Sequence, residues 1–448
     1  MNLSGKKISV IGAARSGIGA AKLIKKAGGV PFVSDSGNEI KLSDSIKKLN
    51  DEGIAFEINE HSEKVYDCDL LVISPGVPSD AEVIKEATKR NIKIISEIEL
   101  AASFCKGNIV AVTGTNGKTT TTSLCGHLFN VCGNKTYTAG NIGVAFSEIA
   151  YDVKENEFVA LEVSSFQLDF IDKFKPKAAV ILNITPDHLN RYDNKFENYI
   201  ASKLRIYKNQ DENDYLILNK DDSVLNENVA QRKSKTFYFS LSEVLNNGAY
   251  KSADQIIYNS ESKLEFAFPI NEIQLKGNHN YANAMAVITA AKIFGFDNEK
   301  IKEGLRTFKG VEHRLEFVRE IDGVKFINDS KATNVDSVWY ALQSFDEPIF
   351  LILGGQDKGN DYNKIKKLVE DKVKKIYAIG SSAEKIFNFF HSFVKVELKV
   401  SLEDAVNAAN KESRQGEVVL LSPACASFDM FDNYEHRGKV FKEAVNKL

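Results

Sequence analysis

Short β-branched and aliphatic runs alternate with longer stretches of helical period along most of this chain. That alternation predicts parallel sheets built from strand–helix–strand units, an α/β fold. The run KISVIG leads through GAARSG into the helical pattern IGAAKLIKKAG, and the apolar runs VPFVSDS and CDLLVISPGVP follow. Together they predict a small Rossmann-like unit over residues 1–97. After a helix carrying Glu97 to Phe104, NIVAVTG opens a second series that continues through FVALEVSS, AAVILNIT and DYLILNK. The polar stretch from Asn246 to Ser262 has little periodicity and reads as loop or irregular strand, and the helix NYANAMAVITAAKIFG follows it. A central unit over 98–310 results. A third series, VKFINDS, PIFLILGG, KKIYAIG and EVVLLSPA, predicts another Rossmann-like unit over 311–448.

Composition narrows the class. The 448 residues are 43% hydrophobic and 27% charged, which excludes a disordered chain or a fibre. Lys and Arg number 58 against 61 Asp and Glu, a net charge of −3, so the overall field draws in neither nucleic acid nor an anionic membrane. Any anionic ligand needs a local site. Five cysteines without a C-x-x-C pair argue against a disulfide framework or structural zinc, and reduced, buried thiols are expected. The opening MNLSGKKISVIG lacks the apolar core of a signal peptide, and no apolar run reaches the ~20 residues of a membrane span. The expected location is the cytoplasm.

The chemistry gathers where strands end. TGTNGKTTT lies between an apolar strand and a helical stretch, the setting in which backbone N–H groups and a helix N-terminus cradle phosphates. Gly114, Thr115, Asn116, Gly117 and Thr120 would form that cradle, with Lys118 neutralising phosphate charge and the Thr119 hydroxyl on Mg²⁺. The loop is a variant, because Val112 stands five positions before Gly117. Glu162 in LEVSS and His188 in NITPDHLNRY follow two further apolar strands, so both should face the same crevice. In the first unit IGAARSG has Ala14 in place of the middle glycine of a dinucleotide fingerprint, with Asp35 after the second strand. Diphosphate approach and a ligand-free turn both fit that motif. In the third unit NDSKATN, GGQDKG and SPACASFDMFDNYEHRG repeat the strand-end pattern, and Lys331 and Lys358 can bind carboxylate or phosphate beside the Thr333 and Ser427 hydroxyls. Cys425 reads as a packed thiol.

Taken in order, SPGVP, GTNGKTT, GNIG, LEVSSFQL, NITPDHLNRY, SKLRIY, GNHNYAN, HRLE, NDSKATN, GGQDKG and SPACASFD resemble the Mur ligases of bacterial peptidoglycan synthesis, over the whole chain. The resemblance implies three domains, Rossmann-like, P-loop ATPase and Rossmann-like, binding in turn a UDP-sugar, ATP and an amino acid. It implies an ATP-dependent amide ligase that adds D-glutamate to UDP-N-acetylmuramoyl-L-alanine through an acyl phosphate, acting as a monomer. Arg15, Asp35, Ser36, Ser74 and Asn141 would contact the UDP-muramoyl substrate, and Asn283, Arg314 and Asp329 would hold ATP. Glu162 and His188 would partner Mg²⁺, with a carbamylated Lys203 holding a second ion that His188 also positions. Lys203 in SKLRIY matches a lysine the family carbamylates, although its place in a helical pattern alone reads as a surface lysine. Lys331, Thr333, Lys358 and Ser427 would form the D-glutamate pocket, with Phe428 and Tyr434 standing where better-known members carry Leu and Phe. No DNPR-type motif is present, which favours glutamate over diaminopimelate. Folylpolyglutamate synthases share the phosphate loop but lack a domain like residues 1–97. A nucleotide-driven switch would not need the later lysine clusters, and Ala14 opposes a dehydrogenase.

Overall fold

The computed structural model describes residues 1–229, 232–357 and 359–448. They form two compact units, Met1–Gln274 with Asn280–Phe308, and Leu275–His279 with Lys309–Leu448.

The first unit holds two sheets. One has five parallel strands in the order Ala55–Ile58, Val30–Asp35, Lys7–Ile11, Leu70–Ile73, Ile94–Ser96. Of its central strands, Lys7–Ile11 is buried from Ile8 onward and Leu70–Ile73 throughout, which is why they read as largely apolar runs. LLVI is thus the fourth strand rather than the third, because AFEI, too short and half-buried to show a period, precedes it.

The other sheet has nine strands, ordered Lys263–Pro269, Gln255–Ser260, Gly248–Ser252, Lys235–Ser240, Tyr215–Asn219, Ala178–Ile181, Asn108–Thr113, Phe158–Glu162, Thr136–Gly140. Of the two readings of Asn246 to Ser262, loop or irregular strand, the strand holds: the stretch contains the antiparallel pair Gly248–Ser252 and Gln255–Ser260. The polar and charged residues at its ends hide the alternation. In the parallel part Val112 and Gly140 both pair with Glu162, and Thr113 pairs with Ile181. This register brings the carboxyl ends of four strands to one level, the usual place for a ligand.

The second unit carries six strands, ordered Glu316–Ile321, Val324–Asn328, Val418–Leu421, Ile349–Gly354, Val373–Ile379, Lys395–Leu398, with only the first pairing antiparallel. Apolar side chains cover both faces. The five cysteines are free, but only Cys125 and Cys425 are buried; Cys68, Cys105 and Cys132 are half-buried, short of the burial expected.

Candidate active site

The strand Asn108–Thr113 turns through Gly114–Gly117 into the helix Lys118–Val131. Gly117 caps that helix at φ 86°, and a Cβ there would stand 2.5 Å from Asn283 Oδ1, so only glycine fits. The loop is braced from the strand Ala178–Ile181: Asn183 accepts the Thr115 and Asn116 amides, and its own Nδ2 donates to Asn116 O at 3.0 Å. Thr115 Oγ1 donates to Thr185 O and meets Tyr199 OH at 3.3 Å. No cap hydrogen bond from a side chain is made at Gly117 among the described residues, and the amides of a first helical turn lack acceptors within it, the arrangement that binds anions. Thr119 and Thr120 are buried in that turn.

Two lysines converge on this loop. Lys118 Nζ donates to Gly114 O at 2.9 Å and to Thr115 O at 2.7 Å, while Lys203 Nζ donates to Gly114 O at 2.8 Å. Lys203 sits on the helix Phe196–Leu204 but is only 1% exposed, which overturns the surface reading of its helical position. Its Nζ also lies 4.6 Å from the centre of the Tyr199 ring. Burial first, and then the Lys118 charge, push its pKa well below the ordinary lysine value, against the pull of Asp187, Glu162 and Asp169.

Glu162 is 1% exposed. One carboxylate oxygen accepts Asn141 Nδ2 at 2.8 Å, and the other, equally buried, has no hydrogen-bond partner among the described residues. A buried carboxylate oxygen without a donor is costly unless a cation completes it, so this position fits a hard, oxygen-seeking ion such as Mg²⁺. Thr119, on the adjoining helix turn, offers a hydroxyl of the same hard character. His188 does not sit at the strand end: it lies seven residues beyond Ile181 on an exposed turn at φ 52°, beside Asp187 and the Phe166 ring.

Of the residues assigned to the UDP-sugar, Arg15, Asp35, Ser36 and Ser74 stand at the first sheet's carboxyl end, and Asn141 follows the strand Thr136–Gly140 of the nine-stranded sheet. Asp35 accepts the Ala13 amide at 2.6 Å and the Gly37 amide at 2.7 Å, so it shapes both loops that flank it. Ser74 is buried with its hydroxyl against Gly12 O at 3.4 Å, Ser36 is exposed, and Arg15 donates to Gly143 O.

In the second unit Asp329 is fully buried, accepting Ser422 Oγ at 2.8 Å and the Leu315 amide at 3.2 Å. Burial, only partly offset by Arg314, pushes its pKa up to about 6. Arg314 Nε is buried without a partner among the described residues, a donor suited to an anionic oxygen. Lys331 Nζ lies 5.3 Å from the Tyr434 ring, Ser427 is buried, Thr333 is half-buried, and Phe428 is 66% exposed. Lys358 lies outside the described residues. Arg437, which the sequence did not single out, is the largest fully buried side chain, donating to Ser330 Oγ and O and to the Cys425 and Ala426 carbonyls. It fastens NDSKATN to SPACASFD. No pattern marks it, since one arginine on an amphipathic helix ordinarily reads as surface.

The Mur ligase middle domain matches residues 112–291, the Mur ligase glutamate ligase domain residues 313–425, and the MurD N-terminal domain residues 7–83. The chain is 44% identical to the UDP-N-acetylmuramoylalanine--D-glutamate ligase of Chloroherpeton thalassium, covering 100% of this chain and 99% of that one. It is 42% identical to the ligase of the same name from Salinibacter ruber, over 99% and 98%. Among solved structures, the UDP-N-acetylmuramate-alanine ligase MurC of Thermotoga maritima shares the fold at TM-score 0.64 and 20% identity, with 99% of each chain covered. With relatives of that identity along its full length, the chain belongs to the Mur ligase family.

Proposed function

We propose that this chain is an ATP-dependent ligase joining D-glutamate to UDP-N-acetylmuramoyl-L-alanine in the synthesis of peptidoglycan precursors. The observation that carries the reading is the pairing of Lys118 and Lys203 on the Gly114 carbonyl, in a sheet whose neighbouring strand ends in Glu162. A carboxylate is a poor acylating agent, and attack of its oxygen on the γ-phosphorus of ATP, with ADP leaving, converts it to an acyl phosphate. Lys118 offsets the charge on the phosphoryl oxygens during that transfer, and the first helical turn holds the phosphates in line. The amine of D-glutamate then attacks the acyl carbon, and phosphate departs with the donor's oxygen. Mg²⁺, held by Glu162, Thr119 and His188 at two sites, would supply further positive charge at the phosphoryl group.

Lys203 is the residue we assign to carbamylation. Burial lowers its pKa and so favours the neutral amine that reacts with CO₂, and the product would carry the opposite charge beside Lys118. Residues 1–97 are assigned to the UDP-sugar through Arg15, Asp35, Ser36, Ser74 and Asn141, and residues 98–310 to ATP through the loop and Asn283. Residues 311–448 are assigned to the ribose and phosphates through Asp329 and Arg314, and to D-glutamate through Lys331, Thr333, Lys358 and Ser427, beside Phe428 and Tyr434. We place the protein in the cytoplasm as a monomer without nucleic-acid or membrane partners. Five free thiols and a net charge of −3 support that placement, and no helix among the described residues is long and apolar enough to cross a membrane.

The test is the purified protein with UDP-N-acetylmuramoyl-L-alanine, ATP and a panel of amino acids, followed by product mass. D-Glutamate should be the preferred acceptor, because an inverted centre misplaces either the amine or a carboxylate and leaves a buried group unpaired. A better reaction with L-glutamate or a diamino acid would contradict the acceptor assignment.

A further inference from the structure

Glu97 is 1% exposed and makes no ion pair among the described residues. Its Oε1 accepts the Ser147 amide at 2.7 Å, across from the five-stranded sheet to the nine-stranded one. Burial raises its pKa. A buried acid costs stability except as far as its hydrogen bonds offset the lost solvation, and the one it makes among the described residues is to Ser147.

Ser147 closes a segment that begins at Gly140, at the end of the strand paired with Phe158–Glu162. Asn141 lies at the start of that segment and binds Glu162 twice, by its amide to Glu162 O at 3.0 Å and by Nδ2 to Glu162 Oε1. Gly140 is at φ 105°, and a Cβ there would stand 2.3 Å from Glu162 O, so the segment is pressed against the carboxylate's own backbone. Within the turn Gly140 N donates to Val144 O at 3.0 Å, and Arg15 of the first sheet's opening helix donates to Gly143 O. The segment is therefore tied to Glu162 at one end and to the five-stranded sheet at its middle and far end. The hydrogen bond from Asn141 leaves the second oxygen of Glu162 as the one open to a cation.

We propose that Glu97 is a positioning residue for the phosphate site, holding residues 140–147 so that Asn141 fixes the Glu162 carboxylate. This rests on the reading of Glu162 as a metal-binding carboxylate. Glu97 touches no reacting atom and acts through Ser147 and Asn141. The group that holds Ser147 needs an acceptor oxygen rather than a charge, so glutamine replaces it and alanine does not.

The experiment is Mn²⁺ binding in the presence of ADP, read from the electron paramagnetic resonance signal of free Mn²⁺ on the full chain, with ligase rate and Tm measured alongside. Loss of an outer partner of a metal-binding carboxylate typically weakens metal affinity by about tenfold or more, so Glu97→Ala and Asn141→Ala should each do so. Glu97→Gln should stay within about twofold of wild type, and the double variant Glu97→Ala/Asn141→Ala should bind no more weakly than the weaker single one. If Glu97→Ala does not fold, Glu97→Asp takes its place, because the shortened side chain should lose the Ser147 contact. A lowered Tm with wild-type Mn²⁺ affinity, additive losses, or Glu97→Gln as weak as alanine would overturn the proposal. Wild-type protein that binds Mn²⁺ and ADP yet forms no amide would overturn the functional reading and leave Glu97 in place; wild-type protein that binds neither would sink both.

Discussion

Lys118 and Lys203 share one carbonyl, and the difference in their burial gives them different work. Lys118 is half-buried on the loop assigned to phosphate, so Lys118→Ala should lose several kcal/mol of transition-state stabilisation, or ~10³-fold or more in rate, with an unchanged circular dichroism spectrum. Near-normal turnover would refute its role. Lys203→Ala should be nearly inactive, and formate or acetate should restore part of the rate by supplying the missing carboxylate; a variant fully active at limiting Mg²⁺ would show Lys203 to be unmodified. Asp329 makes a separate prediction about pH. Its pKa lies at about 6 in the folded chain against 3.8 for a free aspartate, so the folded state holds the proton more tightly. Stability therefore falls as pH rises from about 4 to about 6, by up to about 3 kcal/mol from this group. Asp329→Asn, neutral throughout, should gain on wild type by that amount across the window in denaturant unfolding. A gap between the two that does not change with pH would show Asp329 to be ordinary.

Among the elements, the loop between Thr113 and Lys118 was readable because a buried strand, glycines at the turn and a helix follow one another without interruption. The central strands of the other two sheets, such as Leu70–Ile73, Ile349–Gly354 and Val418–Leu421, were readable because they are buried and apolar, whereas the half-buried edge strand Ala55–Ile58 was not. What the sequence hid were contacts made by polar residues on helices. Lys203 and Arg437 lie on helices whose mixed composition reads as surface, and Glu97 and Glu99 lie on the short helix Glu97–Ala102, where both are buried. Glu99 accepts the amides of Asp172, Lys173 and Phe174, partners more than 70 residues away that no local pattern could reveal. Asn183 and Asp187 were passed over because their motif was read for its histidine. Arg437 carries an element-scale prediction. Arg437→Met leaves the Ser330, Cys425 and Ala426 carbonyls without their donor, at a cost of about 3 kcal/mol or more. Trp339, the only tryptophan, sits on the helix Val335–Gln343 of the same unit, so its fluorescence should report the earlier unfolding. An unshifted transition would show that the two loops are held by other contacts.

At the scale of the whole molecule there are three sheets, and on the proposed assignment each of the three substrates would be bound beyond the carboxyl ends of one of them. The chemistry that unites them is the transfer of an oxygen. If the donor's carboxylate attacks ATP and the amine then displaces phosphate, one donor oxygen must leave as phosphate. The most direct measurement is therefore mass spectrometry of the phosphate and product formed from UDP-N-acetylmuramoyl-L-alanine labelled with ¹⁸O in its carboxylate, with ATP and D-glutamate. One ¹⁸O should appear in each phosphate released, and the amide product should retain one; unlabelled phosphate, or ATP hydrolysis at the same rate without D-glutamate, would contradict the assignment of this site to acyl-phosphate chemistry.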